Sequence, residues 1–85
     1  MKCTLVYTHR ATKDIRRLPP DVQKRIGKSL LRYENEPLKH AEKLTDARLG
    51  EYRFRVGDYR IVFDIHGHEI VVLRVGHRRD VYRRL

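Results

Sequence analysis

Apolar positions change their spacing several times along the 85-residue chain, and each change marks an element. Residues 2–8, Lys-Cys-Thr-Leu-Val-Tyr-Thr, are rich in β-formers and predict an opening strand. Thr8 is suited to cap a short helix in which Ala11, Ile15 and Leu18 fall at i, i+4 and i+7, and Pro19-Pro20 stops it. Pro20 fits the first turn of a second helix, with Asp21 at its positive end. Val22, Ile26, Leu30 and Tyr33 then recur at helical spacing, leaving Lys24, Arg25, Lys28 and Arg32 on the outer face. Asn35-Glu36-Pro37 ends that helix, and residues 38–50 read as an irregular polar connection.

From residue 52 the period becomes two. Tyr52-Arg53-Phe54-Arg55-Val56 and Tyr59-Arg60-Ile61-Val62-Phe63 flank Gly57-Asp58, a two-residue connection suited to a type I′ or II′ hairpin. In that register Val56 faces Tyr59, Phe54 faces Ile61 and Tyr52 faces Phe63, so one side is apolar. Arg53, Arg55 and Arg60 fall on the other side, with Arg55 directly opposite Arg60. A second turn near His66-Gly67 leads to Glu69–Gly76, whose Ile70-Val71-Val72-Leu73 run is apolar on both faces, as in a covered central strand. Residues 77–85 are expected to form a short helical tail. The predicted fold is a single α+β domain, 1–85, in the order β-α-α-β-β-β. Two helices pack on one face of a mainly antiparallel four-stranded sheet, and the arginine face is left open.

Composition sharpens that picture. With 20 Lys+Arg against 11 Asp+Glu, the net charge is +9 and the isoelectric point about 10.2, which calls for a polyanionic partner, nucleic acid before acidic protein or membrane. All six lysines lie in residues 1–43, whereas residues 44–85 carry nine arginines and no lysine. Lysine suits diffuse attraction and arginine suits planar, bidentate phosphate contacts, so the first half reads as a docking surface and the second as a site. No apolar run reaches the roughly 20 residues that span a bilayer, and no membrane partner is expected. The one cysteine, Cys3, reads as a packing residue in a reducing cytosol.

Like charges in direct opposition cost on the order of 0.2–1 kcal/mol. Arg55 and Arg60 are therefore expected to be kept for holding an anion, with Arg60 costing stability. Glu51 and Asp64 share their face but lie toward the far end of the hairpin, leaving the arginines short of counter-charge. His77, Arg78 and Tyr82, in Val-Gly-His-Arg-Arg-Asp-Val-Tyr, could supply proton transfer, charge stabilisation and base stacking at the exit of the last strand. The competing readings are a solvated strand face and a basic tail. Paired carboxylates, a phosphate-cradling glycine loop, a Ser-His-Asp set and a metal-ligand cluster are all missing from the sequence, and His66-x-His68 lacks further ligands. An enzyme of this kind would work by electrostatics and proton transfer without metal or cofactor.

The helix start Leu18–Ile26, the hairpin and the Val75–Tyr82 ending together resemble the RelE branch of the RelE/ParE toxin superfamily over nearly the whole chain. The resemblance implies a small cytoplasmic toxin of a type II toxin–antitoxin pair, an endoribonuclease that cuts mRNA in the ribosomal A site. It implies as partners a cognate antitoxin and the ribosome with its mRNA and ribosomal RNA, with operator DNA reached only through the antitoxin complex. By position, Arg53 and Arg55 match basic residues of the second strand, Arg60 the arginine after the hairpin tyrosine, and Arg78 and Tyr82 the C-terminal pair. Lys13, Lys24 and Lys28 are expected to contact ribosomal RNA. One departure matters: relatives with lysine where this chain has Arg53 and Arg55 use it as a general base, which arginine, with a pKa above about 12, does poorly. His77 or Tyr82 is then expected to move the proton. A ParE-like poison of DNA gyrase and a non-catalytic nucleic-acid-binding or operon-regulating module are the alternatives.

Overall fold

The computed structural model describes residues 3–46 and 48–82. Its elements run β1 (Thr4–Tyr7), α1 (His9–Arg16), α2 (Pro20–Tyr33), α3 (Pro37–His40), β2 (Glu42–Lys43), β3 (Tyr52–Val56), β4 (Tyr59–His66) and β5 (Glu69–His77). Thr8 caps α1 as expected, its Oγ1 accepting from the Ala11 N–H at 3.1 Å. Pro20 opens α2, and Val22, Ile26 and Leu30 form its buried stripe.

The α+β class holds, but the sheet has five strands rather than four, in the order β1-β5-β4-β3-β2. The additional strand is Glu42-Lys43, which pairs antiparallel with Arg53 and Tyr52 inside the segment expected to be irregular. A two-residue strand has no period to read; only its partner defines it. Pro37–His40 likewise forms a single helical turn there. β1 runs parallel to β5, from Thr4 opposite Glu69 to Tyr7 opposite Val72. The expected helical tail is instead a turn over residues 78–82, closed by Asp80 and Val81 N–H groups donating to the His77 carbonyl; residues 83–85 of that expectation lie outside the described residues.

The hairpin register is as predicted: Val56 opposite Tyr59, Arg55 opposite Arg60, Phe54 opposite Ile61. Gly57 has φ +60° and no other described residue than glycine has positive φ, which selects the type II′ turn from the two alternatives. The apolar face of the hairpin packs under α2, where Phe54 and Phe63 stack with ring centroids 4.2 Å apart and are fully buried. Burial of a side chain that size stabilises by about 1.5–3 kcal/mol.

One irregularity aligns the last strand. Val62 pairs with Arg74 but Phe63 with Val72, so Leu73 is a bulge. The added residue returns Val75 to the helix side beside Val72, and both are buried. Beside the bulge Asp14 of α1 accepts from Arg74 Nε at 2.8 Å and from the Val75 N–H at 3.0 Å, tying helix to strand where both side chains are largely buried. The other sheet face is partly roofed. Gly50 (φ +149°) crosses it so closely that a Cβ would stand 2.7 Å from Val62 Cγ1 and 3.0 Å from Leu73 Cδ1. At the opposite end Val81 is buried against Gly76.

Candidate active site

Strand alternation puts Arg53, Arg55 and Arg60 on the face away from the helices, and the 78–82 turn folds back over that same face. Tyr82 thereby reaches Arg53, whose Nη1 donates to the Tyr82 hydroxyl at 3.0 Å. Glu42 stands opposite Arg53 on β2, and its Oε1 lies 3.2 Å from Arg53 Nε and 3.6 Å from Arg55 Nε. The arginines are thus not short of counter-charge, as the sequence suggested; one edge carboxylate serves both. The hydrogen bond to Tyr82 first, and the interactions with Glu42 after it, hold Arg53 above the ordinary arginine range, while partial burial works the other way.

Arg60 shares the ladder face but turns inward. It is 6% exposed, and its Nη1 donates to the carbonyls of Gly57 at 2.8 Å and Tyr59 at 2.9 Å. Gly76 opposite it and the Val81 turn above leave a slot for the guanidinium. In this conformation Arg60 braces the hairpin.

The remaining candidates lie elsewhere. His77 pairs with Tyr59 on the helix side, the rings meeting edge to face at 5.6 Å, and its Nδ1 accepts from the Arg79 N–H at 3.2 Å. With Asp14, Arg17, Tyr59 and Asp80 it lines a cleft of about 480 Å³. Arg78 sits at the hairpin tip, its N–H donating to the Asp58 carbonyl at 2.7 Å and its Nε 3.8 Å from Asp58 Oδ1. Lys13 on α1 and Lys24 and Lys28 on α2 are exposed on the helical layer, across the sheet from the arginines. Among the described residues no three His, Cys, Asp or Glu side chains are grouped to hold a metal ion, and no helix is long and apolar enough to cross a membrane.

The geometry therefore gathers Arg53, Arg55 and Tyr82 of the sequence candidates, with Arg60 beneath them. It adds Glu42, which sequence reasoning missed because nothing in residues 38–50 marks a strand. Such a face can hold a phosphodiester: two guanidinium groups offer planar donors, and a phenol offers a ring and a proton.

Known proteins share this arrangement of elements. Residues 5–82 match the family model described as the ParE toxin of the type II toxin–antitoxin system, parDE. Toxin RelG of Mycobacterium tuberculosis is 33% identical over 91 residues, covering 99% of this chain and all of that one. Toxin RelE3 of Methanocaldococcus jannaschii is 29% identical over 82 residues, 92% of this chain and 93% of its own. The toxin–antitoxin complex RelBE2 from Mycobacterium tuberculosis contains a chain that superposes with a TM-score of 0.83 at 28% identity, over 92% of this chain and 100% of that chain.

Proposed function

The chain belongs to the RelE/ParE family of type II toxin–antitoxin toxins, on its RelE-like side, and from that premise we propose that it is a ribosome-dependent mRNA endoribonuclease. The observation that carries this reading is the gathering of Arg53, Arg55 and Tyr82 on one sheet face. The arginines bind the scissile phosphate and stabilise the charge that grows on its oxygens as the ribose 2′-OH attacks. The products are a 2′,3′-cyclic phosphate and a free 5′-OH, formed without a metal ion. Arg60 supports the hairpin that carries the arginines, and Arg78 and His77 fix the turn that brings Tyr82 over them.

The ribosome supplies what this face lacks. Holding the message in reactive geometry can be worth about 7–11 kcal/mol at its upper range. Lys13, Lys24 and Lys28 on the helical layer contact ribosomal RNA, so losing them weakens binding and reduces its salt dependence. A cognate antitoxin is the protein partner, as RelBE2 is a toxin–antitoxin complex, and operator DNA is met only through that pair. The protein acts in the cytoplasm, where its substrate is translated.

Toeprinting on a translated message tests the reading. Cleavage within the A-site codon, with free RNA left intact, is the expected result. Inhibition of gyrase supercoiling without A-site cleavage would place the activity with the gyrase poisons instead. Silence in both assays would leave a nucleic-acid-binding module.

A further inference from the structure

Transesterification at RNA needs a group that takes the proton from the 2′-OH, and the arginine face holds one that the reading above leaves without a role. We infer that Glu42 is the general base: it is the carboxylate in contact with both Arg53 and Arg55, at 3.2 and 3.6 Å. The inference rests on the reading of this face as an RNA-cleaving site, and it names the proton acceptor there.

The other candidates on the face are engaged or unsuited. Arginine cannot accept a proton at physiological pH. Asp64 Oδ1 accepts from the Glu51 N–H at 2.8 Å, and Glu51 Oε1 accepts from the Ile65 N–H at 3.0 Å, so both are committed to the backbone at the far end of the hairpin. His77 is on the helix side of the sheet with Tyr59. Glu42 is on the edge strand, opposite Arg53, and its side chain is 43% exposed, open to a substrate laid across the arginines. A phosphate held by Arg53 and Arg55 brings its neighbouring ribose within reach of the carboxylate those arginines now contact.

The step balances. The 2′-OH proton passes to a Glu42 oxygen, and the freed electron pair forms the O2′–P bond. The P–O5′ bond breaks with its pair on O5′, which takes a proton from the Tyr82 hydroxyl. Protonated Glu42 and the Tyr82 phenolate then return to their starting states by exchange with water. Arg53, bonded to both Glu42 and Tyr82, holds acid and base on either side of the phosphate.

Single-turnover cleavage of a ribosome-bound message, comparing wild type with Glu42→Gln and Glu42→Asp, tests this. Glu42→Gln should lose about 10²–10⁴-fold in rate at saturation, the usual span for a general base. Its half-saturating toxin concentration should be unchanged or lower, because a negative charge has left the arginine pair. Glu42→Asp, which keeps a carboxylate, should recover part of the rate. The pH–rate profiles of wild type and Glu42→Gln should differ; the groups facing Glu42 are Arg53, Arg55 and, through Arg53, Tyr82. Thermal melting of each variant separates misfolding from lost chemistry. A folded Glu42→Gln protein that cuts as fast as wild type, or faster, would overturn the inference and leave the cleavage reading standing. A wild-type protein that leaves the message whole would sink both.

Discussion

Arg60 stands directly across the β3–β4 ladder from Arg55, yet the two guanidinium groups go to different partners. Arg55 lies toward Glu42, and Arg60 turns back to the carbonyls of Gly57 and Tyr59. The repulsion expected of the pair is relieved by this divergence. Arg60→Ala should therefore destabilise the protein, not spare it. Losing a hydrogen-bonded buried cation costs about 1.5–3 kcal/mol, and each kcal/mol lowers Tm by about 4–8 °C in a domain this size. A melting curve identical to wild type would return Arg60 to a purely functional role.

Tyr82 and His77 occupy opposite faces of the sheet, so their contributions can be separated. Tyr82→Phe keeps the ring and removes the hydroxyl that meets Arg53. It should slow A-site cleavage by about 10²–10⁴-fold, the range for lost acid–base assistance. His77→Gln should change the rate far less. The opposite ranking would move the chemistry to the cleft beside Tyr59.

Alkaline pH should weaken the fold through Tyr7. Tyr7 is 41% exposed, and the burial of the rest of its side chain first, with the Glu34 charge second, pushes its phenol above the ordinary value of 10.0. The unfolded chain therefore releases this proton at lower pH than the folded one. Stability from the neutral phenol is complete below the unfolded pKa, and is lost as pH rises from there through the higher folded one. Urea midpoints followed from neutral into strongly alkaline solution should fall less steeply in Tyr7→Phe than in wild type. Equal slopes would remove Tyr7 from the explanation.

Asp14 should matter to stability rather than to chemistry. Asp14→Ala leaves Arg74 Nε and the Val75 N–H without this acceptor in a largely buried setting, which should cost about 1–3 kcal/mol. The change is readable as a lowered urea midpoint. A midpoint unmoved by the substitution would mean that water replaces the carboxylate at no cost.

What could be read from residues alone was the local part of the fold. Gly57-Asp58 and the strict alternation around it fix the hairpin register, because a one-residue slip would turn Phe54 and Ile61 to solvent. Thr8, Pro19-Pro20 and the Val22–Leu30 spacing fix the helices for the same local reason. The contacts that were not legible join distant residues. Glu42 becomes a strand only by pairing with Arg53, and Leu73 becomes a bulge only against Val62 and Phe63. The inward turn of Arg60 depends on Gly76 and Val81, neither of which is its sequence neighbour. The candidate site was thus visible as a row of arginines, but its counter-charge and its roof were not.

The parallel pairing of β1 with β5 has a consequence for how the protein is made. Thr4 must wait for Glu69, and Tyr7 for Val72, before the sheet can close, at a synthesis rate of about 5–20 residues per second. Long-range parallel pairing is also slow in itself, since loop closure comes before any contact repays it. A nascent chain therefore emerges with its first strand unpartnered and its arginine face unassembled until β5 has left the ribosome. The β1 edge and the arginine face stay incomplete until residues 69–82 are available, which leaves an interval in which a partner can meet the chain.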